Sequence, residues 1–397
     1  MDRWLNKILL GLSEDILREM PDNCIDSIVT DPPYGLKFMG KKWDYDVPSV
    51  ALWEEAYRVL KPGAHVLSFG GTRTYHRMVV NIEDAGFEIR DQILWIYGSG
   101  FPKSLDVSKA IDKHLGCADE RKITHFKRQG PKSMFDGGKP RPASLPASLP
   151  ASLWDGWGTA LKPACEPICL ARKPLEGTVA NNVLKWGTGG LNIDGCRVGM
   201  EEVDREQYIA KRKSFASMEG KPSGGWKNVS PQLSPDAFIE NSKLGRFPAN
   251  VLHDGSEEVL QHFPESNGQQ GDVSGLEPSN PLGKNAFGMM IDRHVFPARN
   301  DSGSAARFFY CAKASSSERG DENNHPTVKP LNLIKYLIRL ITPPDGIVLD
   351  MFGGSGTTAL ACYEMGFNYI LIEREPEHIF IANERIKQAT RQERLFL

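Results

Sequence analysis

Asp31 and Tyr34 flank two prolines in the run Thr30-Asp31-Pro32-Pro33-Tyr34-Gly35. A carboxylate accepts hydrogen bonds. Prolines fix φ and remove backbone donors, which leaves nearby carbonyls free to accept as well. The tyrosine ring adds a face on which a planar group can stack. Two acceptors beside a flat face suit the exocyclic amine of a nucleobase. A plain Pro-Pro turn with an exposed Asp would read the same way, so a second signal is needed. It lies more than 300 residues on, in Asp350-Met351-Phe352-Gly353-Gly354-Ser355-Gly356-Thr357-Thr358. Glycines there permit a tight turn and close approach of a ligand to the backbone. Glu373 follows Asp350 by 23 positions, the spacing of an acid that holds ribose hydroxyls. No lysine follows the glycines, so this is not a phosphate-binding P-loop. The turn is also shorter than a dinucleotide fingerprint.

Both runs stand where strands should end. Ile25-Asp26-Ser27-Ile28-Val29 and Ile347-Val348-Leu349 read as buried parallel strands, and Tyr369-Ile370-Leu371-Ile372 as a third. Thr357 to Cys362 opens a helix between the last two. In an open α/β sheet, ligands bind at the carboxyl ends of strands. Strands are also expected at Ile8–Leu10, Ala64–Phe69, Phe87–Ile89, Gln92–Tyr97, Glu166–Pro174 and Phe308–Lys313. Helices are expected at Ile16–Met20, Trp53–Leu60, Tyr75–Asp84, Val107–Leu115, Leu331–Ile341 and Glu377–Gln388. That alternation predicts an α/β fold with a doubly wound sheet.

The composition is that of an ordinary globular chain: 397 residues, 40% hydrophobic, 25% charged, and a formal net charge of −2. Nucleic-acid binding would therefore have to come from local basic patches. Two candidates stand out. Lys41 and Lys42 follow the Asp31 run. Arg121, Lys122, Lys127 and Arg128 begin a stretch to Arg141 opposed only by Asp136. Next come three copies of Pro-Ala-Ser-Leu, from Pro142 to Leu153, which read as an extended linker of low order. From about 175 to 320 the pattern is irregular, too long for a plain loop. The seven cysteines are scattered, and Cys165 with Cys169 finds no second pair, so no metal is expected. No apolar run reaches 18 residues and Met1-Asp2-Arg3-Trp4 lacks a signal pattern, so a cytoplasmic protein without a membrane span is expected.

Together the two runs resemble the amino-methyltransferases that modify DNA with S-adenosylmethionine. Asp31-Pro32-Pro33-Tyr34 is similar to their D-P-P-Y segment, and Phe352-Gly353-Gly354-Ser355-Gly356 to their F-x-G-x-G cofactor turn. His325-Pro326-Thr327-Val328-Lys329-Pro330 resembles the segment that relatives place beside the methionine end of the cofactor. Catalytic motif first and cofactor motif last looks like the β group, whose sheet is a permuted Rossmann-like methyltransferase sheet. The resemblance implies catalysis by Asp31, Pro32, Pro33 and Tyr34. It implies cofactor contacts from Asp350, Phe352, Gly354, Gly356, Thr357 and Glu373, with Thr327 and Lys329 near the methionine carboxylate. It implies methylation of adenine N6 in double-stranded DNA, because members with Asp in the first motif position lean that way. Cytosine N4 is the alternative, and a catalytically silent DNA-binding protein the rival from another class. The expected organisation is a catalytic half at 1–120, a basic and repeat-bearing linker at 121–153, a return to the sheet at 154–175, a target-recognition region at 176–320 and a cofactor half at 321–397. A homodimer and a cognate restriction endonuclease are partners the resemblance allows. Where relatives carry Gly-Asp for the cofactor's adenine, this chain has Gly11-Leu12, so the adenine contact stays open: Glu14 or Asp15 is a candidate substitute, and a plain helix N-terminus is the stronger reading of both.

Overall fold

The structure, a computed structural model, describes residues 1–36, 46–100, 104–120, 123–127, 141–200, 202, 244–265, 303–312 and 328–396. Its strands are β1 (Lys7–Leu10), β2 (Ile25–Thr30), β3 (Leu60–Phe69), β4 (Glu88–Ile96), β5 (Ile123–Lys127), β6 (Arg141–Ser144), β7 (Cys165–Arg172), β8 (Val251–His253), β9 (Tyr310–Cys311), β10 (Ile347–Asp350) and β11 (Asn368–Glu373). Nine of them make one sheet in the order β1-β11-β10-β2-β3-β7-β4-β8-β9. From β10 the chain winds outward through β11, and β1 adds beside β11 in parallel. From β2 it winds the other way to β3, also in parallel. The reversal falls between β10 and β2, the topological switch point where α/β sheets open a crevice. β1 completes the half that β10 and β11 begin, so the permuted, Rossmann-like sheet is directly visible.

Every residue of β2 is buried, as are the last seven of β3. Strands hidden on both faces need a helical layer on each. One set of helices, Ser13–Glu19, Val50–Val59 and Tyr75–Asp84, packs in sequence order. The other, Leu331–Ile341, Thr357–Met365 and Pro376–Phe396, does the same. Trp53, Leu17, Ile82 and Met78 fill the core beneath the first set.

Several expectations shift in detail. The helix expected at Trp53–Leu60 starts at Val50, because Ser49 caps it by accepting the Leu52 amide at 3.2 Å. β3 begins at Leu60, ahead of the expected Ala64, with Gly63 at φ 77° and its amide bonded to the Lys173 carbonyl at 3.1 Å. The two short strands expected around Glu88 and Gln92 are one, β4, which runs on through the exposed Arg90 and Asp91. Residues Tyr97–Cys165 form a compact unit of their own. Within it, β5 and β6 pair as a two-stranded antiparallel sheet. The repeat here departs from an extended linker. Its first copy lies largely in β6, and Leu149–Ser152 is a turn of helix. Ser148 caps that turn and donates to the fully buried Asp112 at 2.6 Å, and Asp112 also accepts the Ala147 amide at 2.9 Å. A buried carboxylate that gathers serine and backbone donors outweighs the extended preference of proline. Among the described residues, no helix is long and apolar enough to cross a membrane.

One buried acid ties β2, β3 and β10 together. Asp26 pairs with Lys61 at 2.6 Å and accepts the Ile347 amide at 2.9 Å. Asp26→Ala should therefore cost about 2 kcal/mol, since it orphans an amide and an ammonium in a protected place. Urea denaturation checks this: a midpoint shift with an unchanged slope is expected.

Candidate functional site

β2 ends at Thr30, and Asp31 to Tyr34 form the rim beyond it. β10 ends at Asp350, and the glycine turn forms the rim beside them. The two strands are parallel neighbours, with Val348 opposite Ser27 and Leu349 opposite Ile28. Thr30 and Asp350, 320 positions apart, meet in a buried hydrogen bond of 2.7 Å. A cavity of about 430 Å³ opens at this rim. Its walls include Asp31, Pro32, Pro33 and Tyr34 from one side, and Asp350, Phe352, Gly354 and Thr357 from the other. Glu373 and Lys329 also face it. That size suits a small-molecule site.

Asp350 is a hub for donors. Its carboxylate accepts from Thr30 Oγ1, from the Phe352 amide at 3.0 Å and from Thr358 Oγ1 at 2.6 Å. Burial still outweighs those bonds and pushes its carboxyl up to about 6. Glu373, at the end of β11, holds the glycine turn in shape. It accepts the Gly354 amide at 2.7 Å and the Glu375 amide at 2.8 Å. Burial works against its charge, but the His378 ring and the two amides prevail and keep the carboxyl below its usual range. His378 is raised in turn, chiefly by its bond to Glu373.

Gly354 and Gly356 both have positive φ, 48° and 78°. Gly356, expected against the cofactor, is not on the cavity wall. A Cβ there would stand 2.6 Å from Ala382 Cβ on the last helix. Its left-handed backbone and its packing against that helix both demand a glycine. Thr357 Oγ1 accepts from Arg385 on that same helix at 3.0 Å. In the β1 half, Glu14 lines the cavity and Asp15 does not.

The Asp31 rim is built from charges. Lys329 Nζ donates to Asp31 Oδ2 at 2.6 Å, to Glu166 Oε2 at 3.1 Å and to the Tyr34 hydroxyl at 3.2 Å. Tyr34 donates to Asp31 Oδ1 at 2.7 Å. Lys329 is buried, its ammonium 4.9 Å from the Phe69 ring centre. It is therefore neither a surface lysine nor a free cation awaiting a carboxylate. Burial alone would push its pKa down, but Asp31 and Glu166 outweigh that and hold it above the usual value. Burial first, and then the same two carboxylates, push the Tyr34 hydroxyl well up, so it stays protonated. Among the described residues the Pro32 carbonyl accepts no hydrogen bond.

Glu166 was not singled out from the sequence as a site residue, although its strand was expected. The available signal was a lone acid at the start of the strand Cys165–Arg172, ahead of the apolar run Pro167 to Ala171. Thr327, Lys41, Lys42, Arg121, Lys122 and Arg128 lie outside the described residues, and Lys127 is described in its backbone alone. Among the described residues no group of His, Cys, Asp and Glu could hold a metal ion.

A family model for DNA methylases of the N6/N4 type matches residues 25–384. The chain belongs to that family. It is 24% identical over 335 residues to the Type II methyltransferase M.HindIII of Haemophilus influenzae, a match covering 84% of this chain and 66% of that protein. It is 41% identical over 69 residues to the Type II methyltransferase M2.MboI of Moraxella bovis, 17% of this chain and 25% of that one. The chain thus spans just under two thirds of the first relative and a quarter of the second. Among solved structures it is similar to the M1.HpyAVI–SAM complex, with 16% identity, a TM-score of 0.39, and coverage of 96% and 98%. It is also similar to the cytosine-N4-specific PvuII DNA methyltransferase, with 14% identity, a TM-score of 0.41, and coverage of 95% and 84%.

Gly356 and Asp350 each give a prediction. Gly356→Ala forces a left-handed residue with a side chain, a cost of about 1–2 kcal/mol before the clash with Ala382 is counted. A clear fall in melting temperature is expected, and an unchanged one would refute the packing role. Asp350 gives a pH signature. Its carboxyl titrates near 3.8 when unfolded and at about 6 when folded. Between those values the folded state keeps a proton that the unfolded state has lost, so stability falls as pH rises through that window. Asp350→Asn abolishes this contribution. Urea midpoints should show wild type losing ground to the variant between pH 4 and 6, and no further loss above.

Proposed function

We propose that this protein transfers a methyl group from S-adenosylmethionine to an exocyclic amine of a base in duplex DNA, with adenine N6 as the acceptor. The observation that carries this reading is the rim itself. An acid and a proline carbonyl that accepts no hydrogen bond among the described residues stand over the same cavity as a glycine turn closed by Glu373. Membership of the DNA methylase family supports DNA as the substrate.

The cofactor is S-adenosylmethionine, which supplies a methyl group on a sulfonium. The residues present fit it. Phe352 and Gly354 offer an apolar wall and a near backbone, Glu373 faces the cavity at the spacing of a ribose partner, and Asp350 supplies a buried carboxylate. Glu14 stands where an acid could meet the adenine ring in place of Leu12.

The target base sits inside a duplex and must be flipped out, at a cost of a few kcal/mol. Stacking on Tyr34 and hydrogen bonds at the base edge offset that cost. The amine is a poor nucleophile because its lone pair is delocalised into the ring. Asp31 and the Pro32 carbonyl accept its two N–H bonds and draw the nitrogen towards tetrahedral geometry. The localised lone pair then attacks directly, and catalysis rests on orientation and fixed charge. No cysteine nucleophile is needed.

The acceptors would serve cytosine N4 equally well, so the base is an outcome of the test. The basic segment at 121–141 is assigned to the phosphate backbone and the region 176–320 to target recognition. Similarity to Type II methyltransferases supports a restriction-modification setting, and a cognate endonuclease is part of this proposal.

Incubation with isotope-labelled S-adenosylmethionine and unmethylated genomic DNA, followed by digestion to nucleosides and mass spectrometry, tests the reading. N6-methyladenine is expected. N4-methylcytosine would keep the chemistry and change the base. Label-free DNA with cofactor still bound would overturn the activity. Asp31→Ala should reduce transfer by at least a thousandfold with cofactor affinity within about threefold of wild type. Turnover near wild type would refute the role of Asp31.

A further inference from the structure

The cluster around Lys329 holds more charge than the proposed reaction has so far used. Two carboxylates, Asp31 and Glu166, share one ammonium. Tyr34 is protonated and adds none. Among the described residues the cluster therefore carries one net negative charge, and Glu166 is what makes it so. Without Glu166, Asp31 and Lys329 would cancel.

The fold explains how this second acid reaches the rim. β7 runs antiparallel to β3, with Phe69 opposite Ile168. The start of β7 therefore lies beside the end of β3, and Gly70 donates to the Pro167 carbonyl at 2.9 Å. Parallel strands deliver their last residues to the ligand edge. A reversed strand delivers its first residues, and Glu166 is one of them.

The two carboxylates are not equivalent. Both oxygens of Asp31 are engaged, Oδ1 by Tyr34 and Oδ2 by the shorter bond to Lys329. Glu166 is held through Oε2 alone. Its Oε1 has no hydrogen-bond partner among the described residues, and the residue lines the cavity. A proton placed on Asp31 would displace the Tyr34 bond or the 2.6 Å ion pair. A proton placed on Glu166 Oε1 would break nothing.

We infer that Glu166 is a further catalytic residue: its uncompensated charge stabilises the positive charge that develops on the attacked amine, and its Oε1 then takes the proton the amine must lose. This rests on the amine-methylation reading above. The nitrogen lone pair forms the new N–C bond as the C–S bond breaks and its electron pair stays on sulfur. The sulfonium becomes a neutral thioether and the nitrogen a cation with two hydrogens. One proton passes from that nitrogen to Glu166 Oε1. A secondary amine remains, and the proton leaves to solvent when product departs.

The test is single-turnover methyl transfer to DNA with labelled S-adenosylmethionine, alongside a cofactor titration and a melting curve. E166Q keeps the acceptor that holds Lys329 but removes the charge and the base. Its transfer rate should fall about a hundredfold, with cofactor affinity and melting temperature near wild type. E166D keeps the charge and should recover at least tenfold of that loss. An E166Q rate within threefold of wild type would overturn the inference. So would E166Q and E166D being equally slow, since that marks a packing role. Should E166Q fail to fold, E166N against E166D gives the same comparison at equal length and different charge. Wild-type product formation reports separately on the amine-methylation reading, because a wild type that methylates no base refutes that reading whatever the variants do.

Discussion

The parallel pairing of β2 with β10 is the constraint from which the site follows. These strands come from opposite ends of the sequence, and neither carries a complete site. Their register sets Thr30 and Asp350 close enough for a buried hydrogen bond. Because side chains alternate along a strand, a slip of one residue would turn both ends away from each other. Burial on both faces of β2 forbids that slip, since it would drive Asp26 and Ser27 into the wrong layers. Asp26 reinforces the register by holding the Ile347 amide on one side and Lys61 on the other. The apolar core thus fixes the sheet, and the sheet fixes the distance between the two motifs.

Within that frame the electrostatics divide into two parts. At the glycine turn, carboxylates hold backbone amides and hydroxyls and keep a loop in one shape. At the Asp31 rim, carboxylates share a buried ammonium. Removing charges from water is costly, and a lone buried lysine would lose its proton. Lys329 keeps it because two acids face it. A buried ion pair of this kind contributes little to stability compared with an apolar substitute. Its presence at a cavity wall is therefore better explained by function, where fixed charges need no reorganisation when charge moves during reaction.

How much of this could be read in the sequence depends on whether a signal was local. Helices Tyr75–Asp84 and Leu331–Ile341 stand where the pattern placed them, since amphipathic periodicity and the following Gly or Pro are local features. Asp31, Asp350 and Glu373 were legible for the same reason: each is an acid closing an apolar strand. Lys329 was expected near the methionine carboxylate, and only the meeting of Asp31, Glu166 and Tyr34 shows the buried ion pairs it makes. Glu166 needed knowledge that its strand runs backwards, and strand direction is a property of the whole sheet. Gly356 has a packing reason that the turn itself does not reveal, because Ala382 lies on a distant helix. The repeat misled because proline-rich composition speaks for an extended chain, whereas Asp112, some 35 positions earlier, supplies the bonds that fold it back.

Chain order matters less to such a site than strand ends do. The rim collects the carboxyl ends of β2, β10 and β11 and the amino end of β7. Where the chain is cut and rejoined between those strands changes none of the four. That is why a motif near residue 31 and a turn near residue 353 can face one cavity. It also explains where extra sequence is tolerated: a connection between strands can lengthen at small entropic cost so long as its two ends stay put. The reversed strand adds something the parallel ones cannot. Parallel strands reach the rim with residues that have just left the sheet, free to turn. β7 meets it with residues about to enter the sheet, so Glu166 is braced by the ladder that begins behind it. A carboxylate meant to hold a charge in place is better set on the braced end, and an acceptor meant to fit around a flipped base is better set on the turning one.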